Sequence, residues 1–497
     1  MSKRSGTGRL GSLATAAITA IALAVQAGLA AVVGVIIARE FGRTAETDGF
    51  FTAYGVFIVL ALASNAIRLV VLPPLARARD GRRLGQEAAA WALILGALSA
   101  PLVFCAFVFA APLGDLLTGS GPHLAAETAA HTLPLVVLAG VGQIFAGLAA
   151  SALAALDDYL TAAVAYIVAS VAGLLTILLR VDTAGVDAVA VGMVVNAFVA
   201  CGLQSLVLAL RAGRAAMPRS GIRPGGGTLA DRARQALRGC SLPLALQGAY
   251  LVCVPLAARE GVGAVTSFGY AYLAGSALVA ATAASFGLVT AVPLTRAGLD
   301  AKHVARHVVA TSWLALLAVG AAAGVFAVAG EPILSHVLGT GFLGSVGAEV
   351  GQLVAMLAPW MIASIGIAVG FPLMFVARHE RALPLISLAT LAAQVPLALV
   401  GQRLFGLTGL AFALAGSAAV AFVGFLRSLH ATRATLVGLA RAVAVVSVIA
   451  APIFLVADVV FANVVAAVVG LVTYGVAIAV IRPAGLVDSL HYLRSLG

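Results

Sequence analysis

The sequence predicts an all-α polytopic membrane protein with about fourteen transmembrane helices. Its 497 residues are 62% hydrophobic and only 10% charged, and their mean hydropathy is +1.10, which is far outside the usage of soluble globular domains. The apolar segments run for about 20 residues or more, enough to cross a bilayer as helices. Because they are continuously apolar rather than alternating, helices are favoured over the strands of a membrane barrel.

The predicted spans follow one another with short connections. In order, they are residues 12–38, 49–72, 88–114, 129–155, 160–180, 187–210, 239–258, 263–293, 307–329, 347–377, 382–400, 407–429, 437–458 and 460–481. The first span follows Met-Ser-Lys-Arg-Ser but is too long for a secretory signal, and no small-residue cleavage site ends it. We therefore expect it to remain in the protein.

Positive charge alternates along the chain and sets the predicted orientation. If the N-terminus is cytoplasmic, 24 of the 30 Lys and Arg residues fall in cytoplasmic segments or at the span ends next to them, five fall in or next to outside segments, and Arg68 is the one that remains within a span. This asymmetry is what the positive-inside rule requires. It places both termini in the cytoplasm of a bacterial inner membrane. The net charge of +11 then indicates contact with anionic phospholipids, with no need for a nucleic-acid partner.

The longest polar connection predicts the domain organisation. Residues 211–238 contain seven arginines and the sequence Arg-Pro-Gly-Gly-Gly, which is typical of a flexible cytoplasmic linker. We predict an N-lobe of six helices (1–210), this basic linker, a C-lobe of six helices (239–430), and two further helices with a cytoplasmic tail (431–497).

A weak internal repeat accords with two lobes. Phe-Phe-Thr-Ala-Tyr (50–54) precedes Pro-Leu-Ala-Arg (74–77), and Phe-Gly-Tyr-Ala-Tyr (268–272) precedes Pro-Leu-Thr-Arg (293–296) at a similar distance. Both helices run from outside to inside under the charge assignment, so the repeat is parallel, as in some transporters. The alternative is a chance likeness between two helices rich in Ala and Val.

Residues 36–57, which read Ile-Ile-Ala-Arg-Glu-Phe-Gly-Arg-Thr-Ala-Glu-Thr-Asp-Gly-Phe-Phe-Thr-Ala-Tyr-Gly-Val-Phe, resemble the junction of the first two helices in the MurJ/MviN branch of the multidrug/oligosaccharidyl-lipid/polysaccharide (MOP) exporter superfamily. The Pro-Leu-Ala-Arg ending of the second helix is also similar. The resemblance implies two six-helix lobes around a central cavity, with alternating access carrying a lipid-linked saccharide from the inner to the outer leaflet. It places Arg39 and Asp48 near the outer mouth.

Two departures separate the chain from this pattern. The first departure concerns arginines. The family has arginines in the body of the first helix, where this sequence has valines and only Gln26 as a mid-span polar group. In the second helix, Arg68 falls nearly two turns after the family arginine. The family's Tyr-Tyr-Ala-Asp-Arg is replaced by Gly-Tyr-Ala-Tyr at 269–272. The resemblance therefore implies a lipid-linked glycan but not lipid II in particular.

Arg68 is the main candidate for substrate contact. A charged group inside the bilayer costs about 2.5–3.5 kcal/mol, and Asn65 and Tyr54 fall on roughly the same helical face. A guanidinium matches the oxygens of a pyrophosphate. The alternative is that Arg68 extends to the cytoplasmic headgroups.

Mid-span amides and paired charges supply the other candidates. Gln26, Gln143, Asn196 and Gln247 would suit a cavity lined for sugar hydroxyls, although interhelical hydrogen bonds explain such amides equally. Arg259 and Glu260 after the seventh span echo Arg39 and Glu40 after the first. The candidate gating residues are Arg39, Asp48, Arg259 and Glu260. The alternative is that these side chains anchor the helix ends at the membrane interface.

These features favour transport over catalysis. No nucleotide, zinc-peptidase or other enzymatic motif is present, and the sequence predicts neither a cofactor nor a metal site. The leading hypothesis is a flippase for a polyprenyl-diphosphate-linked glycan, either lipid II-like or a polysaccharide precursor. The alternatives are a multidrug/cation antiporter of the same superfamily, or a transport-inactive scaffold that partners cell-envelope synthases. No acidic residue lies in the middle third of a predicted span, which disfavours antiport.

Overall fold

The computed structural model describes residues 25, 28–80, 83–212, 228–297, 301–377 and 379–496, and these residues are organised almost entirely as helices. The helices are α1 (28–41), α2 (Ala45–Asp80), α3 (Leu84–Val108), α4 (Ala110–Thr118), α5 (His123–Ala155), α6 (Tyr159–Ala184), α7 (Asp187–Ala212), α8 (Leu229–Ala257), α9 (Ala264–Ala297), α10 (Ala301–Leu338), α11 (Ser345–Met356), α12 (Ala358–Val376), α13 (Leu383–Ser428), α14 (Thr432–Val460), α15 (Asn463–Ile481) and α16 (Ala484–Leu496). Three single-turn 3₁₀ helices, Ala258–Glu260, Thr340–Phe342 and Glu380–Ala382, connect them.

The predicted all-α class is confirmed, and the number of spans agrees closely. Twelve helices in the described residues are long and apolar enough to cross a membrane, so the chain is a multi-pass membrane protein. One of the twelve, Glu380–Ser428, is broken at Gly406, where φ is 55°. It comprises two predicted spans, 382–400 and 407–429. The first predicted span, 12–38, lies mostly outside the described residues.

Prolines account for three helix breaks that the sequence analysis did not place. Pro112, Pro332 and Pro359 have no N–H to donate to the carbonyl four residues earlier. The first follows the break between α3 and α4, and the second follows the non-helical Ala329 within α10. The third lies in the first turn of α12, so the span predicted at 347–377 is two helices, α11 and α12.

The chain divides into two compact units, Met1–Gln247 and Gly248–Gly497. In the first unit, α5 is the central helix: α2, α3 and α7 all pack against it, and α6 packs against α7. A Cβ on Gly140 of α5 would overlap the side chain of Leu60 on α2. Glycine at this position therefore allows the two helices to approach closely, as small residues do in membrane bundles.

The predicted linker, 211–238, is only partly described. Residues 213–227 lie outside the described part of the chain, whereas Leu229 to Arg238 form the first turns of α8. The first turns of α8 belong to the first unit. They contact α3 through Arg232, whose guanidinium lies 2.7 Å from the carboxylate of Glu87. Both side chains are less than a tenth exposed, and the Trp91 indole also donates to Glu87.

In the second unit, α9 packs against α12, and α12 packs against α13. The helix α10 contacts α11, α12, α14, α15 and α16. The last two spans are held on α10 by Phe454 and Tyr474, whose hydroxyl donates to the Leu317 carbonyl at 3.3 Å. The predicted cytoplasmic tail is a docked helix, because Tyr492 of α16 lies 3.4 Å from His307 of α10 and under the guanidinium of Arg306.

Glu87→Ala should destabilise the protein strongly, because it leaves the buried Arg232 guanidinium without its carboxylate. Removal of one partner of a buried pair costs about 3–5 kcal/mol. Thermal unfolding of the detergent-purified protein should show a clearly lower Tm. The matched control is Arg234→Ala, whose pair with Asp231 is exposed and whose loss should leave the Tm almost unchanged, because solvent screens surface ion pairs. Equal Tm values for the two variants would contradict a stabilising role for the buried pair.

Candidate functional site

In the first unit, α2 presents its polar residues to a small-residue surface of α5. The Ser64 hydroxyl donates to the Gln143 carbonyl at 2.8 Å. One turn further along α5, a Cβ on Gly147 would overlap the Ser64 hydroxyl and would lie 3.4 Å from Cγ of Arg68. The aliphatic stem of Arg68 therefore crosses α5 at a position that has no side chain.

Arg68 itself is half-buried, and Asn65 is exposed. No carboxylate of the described residues forms an ion pair with Arg68. The guanidinium lies within electrostatic range of the Tyr166 hydroxyl on α6. An unpaired guanidinium inside a candidate membrane span has high affinity for anionic groups, because it is only weakly solvated there.

The predicted amides differ in their surroundings. The Gln143 side chain donates to Asn196 at 2.8 Å, and the Asn196 side chain donates to Ser170 at 3.3 Å. These bonds join α5, α7 and α6, as expected for interhelical hydrogen bonds. For Gln143 and Asn196, the structure therefore favours the alternative that they hold the bundle together. Gln247 is half-buried in α8, at the end of the first unit, and Gln26 lies outside the described residues.

The sequence analysis missed Gln204 of α7. Its side chain is 0% exposed, and its amide lies within hydrogen-bonding reach of the Tyr166 hydroxyl on α6. The only sequence signal was a further mid-span amide. That signal does not distinguish Gln204 from Gln143, because burial and partners depend on the packing of α5, α6 and α7.

Two of the four predicted gating residues lie at the start of the first unit. Arg39 is exposed near the end of α1, and Asp48 is 3% exposed in the first turn of α2. The residue before Phe50 and Phe51 is glycine because a Cβ on Gly49 would overlap the Ala125 carbonyl of α5. Asp48 therefore belongs to a tightly packed helix start.

The other two lie in the second unit. Arg259 is exposed. The carboxylate of Glu260 accepts a hydrogen bond from the Gln402 amide at 2.7 Å. It also lies beside Gly406, where a Cβ would be 3.1 Å away, so Glu260 holds the turn after α8 against the bend in α13. This contact stabilises one end of the second unit.

An unpredicted pocket of about 260 Å³ lies where α2, α5 and α7 begin and α6 ends. Three carboxylates and one imidazole line it, from Glu46, Glu127, Asp187 and His131. No group of three or more His, Cys, Asp or Glu residues that could hold a metal ion occurs in the described part of the chain.

The pair formed by Gln143 and Asn196 should show coupled effects on stability. Gln143→Leu and Asn196→Leu each remove the same hydrogen bond, so the double variant should be less destabilised than the sum of the single variants. The expected coupling is about 0.6 kcal/mol, and up to about 1.7 kcal/mol. Thermal unfolding of the four proteins measures it. The same cycle on Gln143 and Gln402, whose amide is bonded to Glu260 instead, is the control, and additive effects in both cycles would contradict the pairing.

Comparisons with known proteins identify the fold. No protein-family model and no curated protein sequence matches the chain. Among solved structures, the lipid II flippase MurJ in an inward closed conformation is similar with a TM-score of 0.71 and 12% identity, over 93% of this chain and 98% of that one.

Transporters of the MATE type are similar as well. An inward-facing multidrug resistance MATE family transporter of the MOP superfamily has a TM-score of 0.59 and 18% identity, over 84% of this chain and 98% of that one. The eukaryotic MATE transporter AtDTX14 has a TM-score of 0.59 and 16% identity, over 87% and 97%. The resemblance predicted from residues 36–57 is thereby confirmed for the fold, and this chain has the fold that MurJ and the MATE transporters of the MOP superfamily share.

Proposed function

We propose that this protein is a transporter of the MOP type that moves a polyprenyl-diphosphate-linked glycan from the inner to the outer leaflet by alternating access. The similarity to MurJ covers 93% of the chain and has a higher TM-score than the similarities to the two MATE structures, 0.71 against 0.59. It supports a transporter of large lipid-linked substrates. The identity of 12% leaves the substrate to be argued from this chain's own residues.

The observation that carries the proposed substrate is Arg68. It is a half-buried cation in a membrane helix, and no carboxylate of the described residues neutralises it. A substrate with a diphosphate supplies the missing negative charge, and a guanidinium binds phosphate oxygens through two parallel hydrogen bonds. A cationic drug, the substrate class of a multidrug antiporter, would be repelled by the same residue.

The distribution of carboxylates also favours a flippase. None of the twelve candidate spans has an Asp or Glu in its middle third. The buried carboxylates of the described residues are Asp48, Glu87 and Asp158. They lie at helix ends, and Glu87 and Asp158 pair with arginines. Coupling by the membrane potential, acting on the charged substrate or on Arg68, needs no buried acid.

The proposed location is a bacterial inner membrane with both termini in the cytoplasm. The positions of the basic residues support it. The helices α2 and α7 begin together at the pocket, so Arg77 and Arg79 at the end of α2 and Arg211 at the end of α7 lie toward the opposite end of the first unit, and basic residues concentrate on the cytoplasmic side. The proposed partners are the lipid-linked glycan, anionic phospholipids and cell-envelope synthases.

Arg68→Gln should impair flipping. Loss of a hydrogen bond to a charged group costs about 1.5–3 kcal/mol, which corresponds to a roughly tenfold to hundredfold weaker interaction. Proteoliposomes with a fluorescent lipid-linked saccharide measure the rate at which the label reaches the opposite leaflet. The matched control is Arg77→Gln on the same helix, whose side chain is exposed and whose loss should leave the rate within about twofold of wild type.

The same assay distinguishes the three functions. Wild-type protein that flips labelled saccharide supports the flippase. Wild-type protein that moves a cationic dye in exchange for protons or sodium, but no saccharide, supports the antiporter. Wild-type protein that is folded but moves neither substrate supports the scaffold.

Asp48→Asn should retain most of the flipping activity, because the proposed coupling does not depend on a carboxylate. An imposed membrane potential should change the rate of the wild type and of this variant alike, whereas a pH gradient alone should change neither. Since Asp48 is buried, its Tm must be measured alongside. A folded Asp48→Asn protein with no transport would contradict potential-driven coupling.

A further inference from the structure

The C-terminal helix α16 runs along the first turns of α10. The contacts pair, in order along α15 and α16, Tyr474 with Leu317, Gly485 with Trp313, and Tyr492 with His307. Residue numbers rise along α15 and α16 while those of their partners fall, so these two helices together run antiparallel to α10. The contact between α16 and α10 extends over two turns, which is about 10 Å on each helix.

Few side chains hold α16 in this place. Among the described side chains of α16, the buried ones are Leu486, Ser489 and Tyr492. The Tyr492 hydroxyl lies 3.4 Å from Nδ1 of His307, and the guanidinium of Arg306 lies 5.1 Å from the centre of the Tyr492 ring, where a cation is attracted to the aromatic face. A helix of 13 residues is marginal by itself, so the position of α16 depends on these contacts.

A connection of two residues separates α16 from α15. Arg482 has φ 45° and ψ 65°, a left-handed conformation that residues other than glycine rarely adopt. Pro483 has no N–H with which to continue α15. Residues at the ends of elements are the ones that absorb the change in φ and ψ when a segment swings. The direction of α16 is therefore set by these two residues and by its contacts with α10.

The start of α10 is enclosed from two sides. A Cβ on Gly485 of α16 would lie 2.8 Å from the indole of Trp313, whose side chain is buried. At a neighbouring level of α10, a Cβ on Gly438 of α14 would overlap the side chain of Val309. The first turns of α10 therefore pack tightly against both α14 and α16.

We propose that α16 is a C-terminal strap that opens and closes on α10 by rotation at Arg482 and Pro483. When closed, the strap holds the start of α10 against α14. When open, it leaves these turns of α10 free to move while the rest of the second unit stays folded. Chain ends with few buried contacts open at the lowest free energies in a folded protein, which is the property that a strap requires.

Cysteine labelling of the full-length, detergent-purified protein tests the strap. Ser489 is 3% exposed in the docked helix, whereas its neighbour Asp488 is exposed. A water-soluble maleimide should modify Ser489→Cys at least about tenfold more slowly than Asp488→Cys, because only molecules with an open strap react at position 489. The unaltered protein, with its four native cysteines, gives the background.

Gly485→Leu, added to the Ser489→Cys protein, should raise the labelling rate to that of Asp488→Cys, because the leucine overlaps the Trp313 indole. Leucine favours the helical conformation more than glycine does, so the substitution does not weaken α16 itself.

The matched control is Gly475→Leu on α15. No atom lies within 4 Å of a Cβ at this position, so the labelling of Ser489→Cys should not change. Tyr492→Ala removes the contacts with Arg306 and His307, opens the strap from its other end, and serves if the Gly485→Leu protein fails to fold.

Thermal unfolding shows whether the strap opens by itself. Gly485→Leu should leave the Tm close to that of the wild type, because local opening does not require the bundle to unfold. Labelling of Ser489→Cys that neither Gly485→Leu nor Tyr492→Ala accelerates would overturn the strap. So would a loss of Tm as large as that caused by Glu87→Ala, because α16 would then be an integral part of the fold.

The effect of the strap on transport rests on the proposed function. If the closed strap restrains α10, Gly485→Leu should raise the flipping rate by about twofold or more, as expected when a conformational step limits turnover. An unchanged or lower rate in an active protein would overturn this restraint. Labelling does not require transport, so a protein that labels as expected but moves no lipid-linked glycan keeps the strap and loses the proposed function.

Discussion

The close approach of α2 to α5 is the contact on which the candidate site depends. Gly140 and Gly147 present no side chain to α2, so Leu60, Ser64 and Arg68 lie directly against the backbone of α5. Apolar burial gives little drive for association between helices in lipid, so packing and hydrogen bonds supply it. The bond from Ser64 to the Gln143 carbonyl fixes the register of the two helices. That register places Arg68 near Tyr166.

The second unit follows a related plan. Its helix α9, which carries the aromatic residues of the predicted repeat, packs against α12, and Gly275 on α9 faces Met361 and Trp360. The buried rings of Phe268 and Tyr272 stack on Tyr250 in this region. In both units the repeated aromatic segment is therefore a buried helix start. Packing alone explains why large aromatic side chains recur there.

Prediction from sequence worked best for what depends on one segment at a time. The composition and the length of each apolar run were sufficient for the helical class and for nearly all of the spans. They failed at 347–377, which is two helices because Pro359 lacks an N–H. The predicted boundary between 382–400 and 407–429 corresponds to the bend at Gly406. The docking of α16 through Tyr492 was also missed, because a short amphipathic segment gives no sign of the surface that it covers.

The sequence by itself determined that the chain is a bundle of membrane helices, because lipid requires every backbone group to be bonded within its own segment. It also singled out Arg68, since a charge in an apolar run is conspicuous. Only the tertiary structure decided the roles of the amides. Gln143 and Gln204 have the same side chain in similar apolar surroundings, yet one is bonded to Asn196 of α7 and the other lies beside the Tyr166 hydroxyl of α6. Hydrogen bonding depends on the distance to atoms of other helices, and that distance is set by packing rather than by any local pattern.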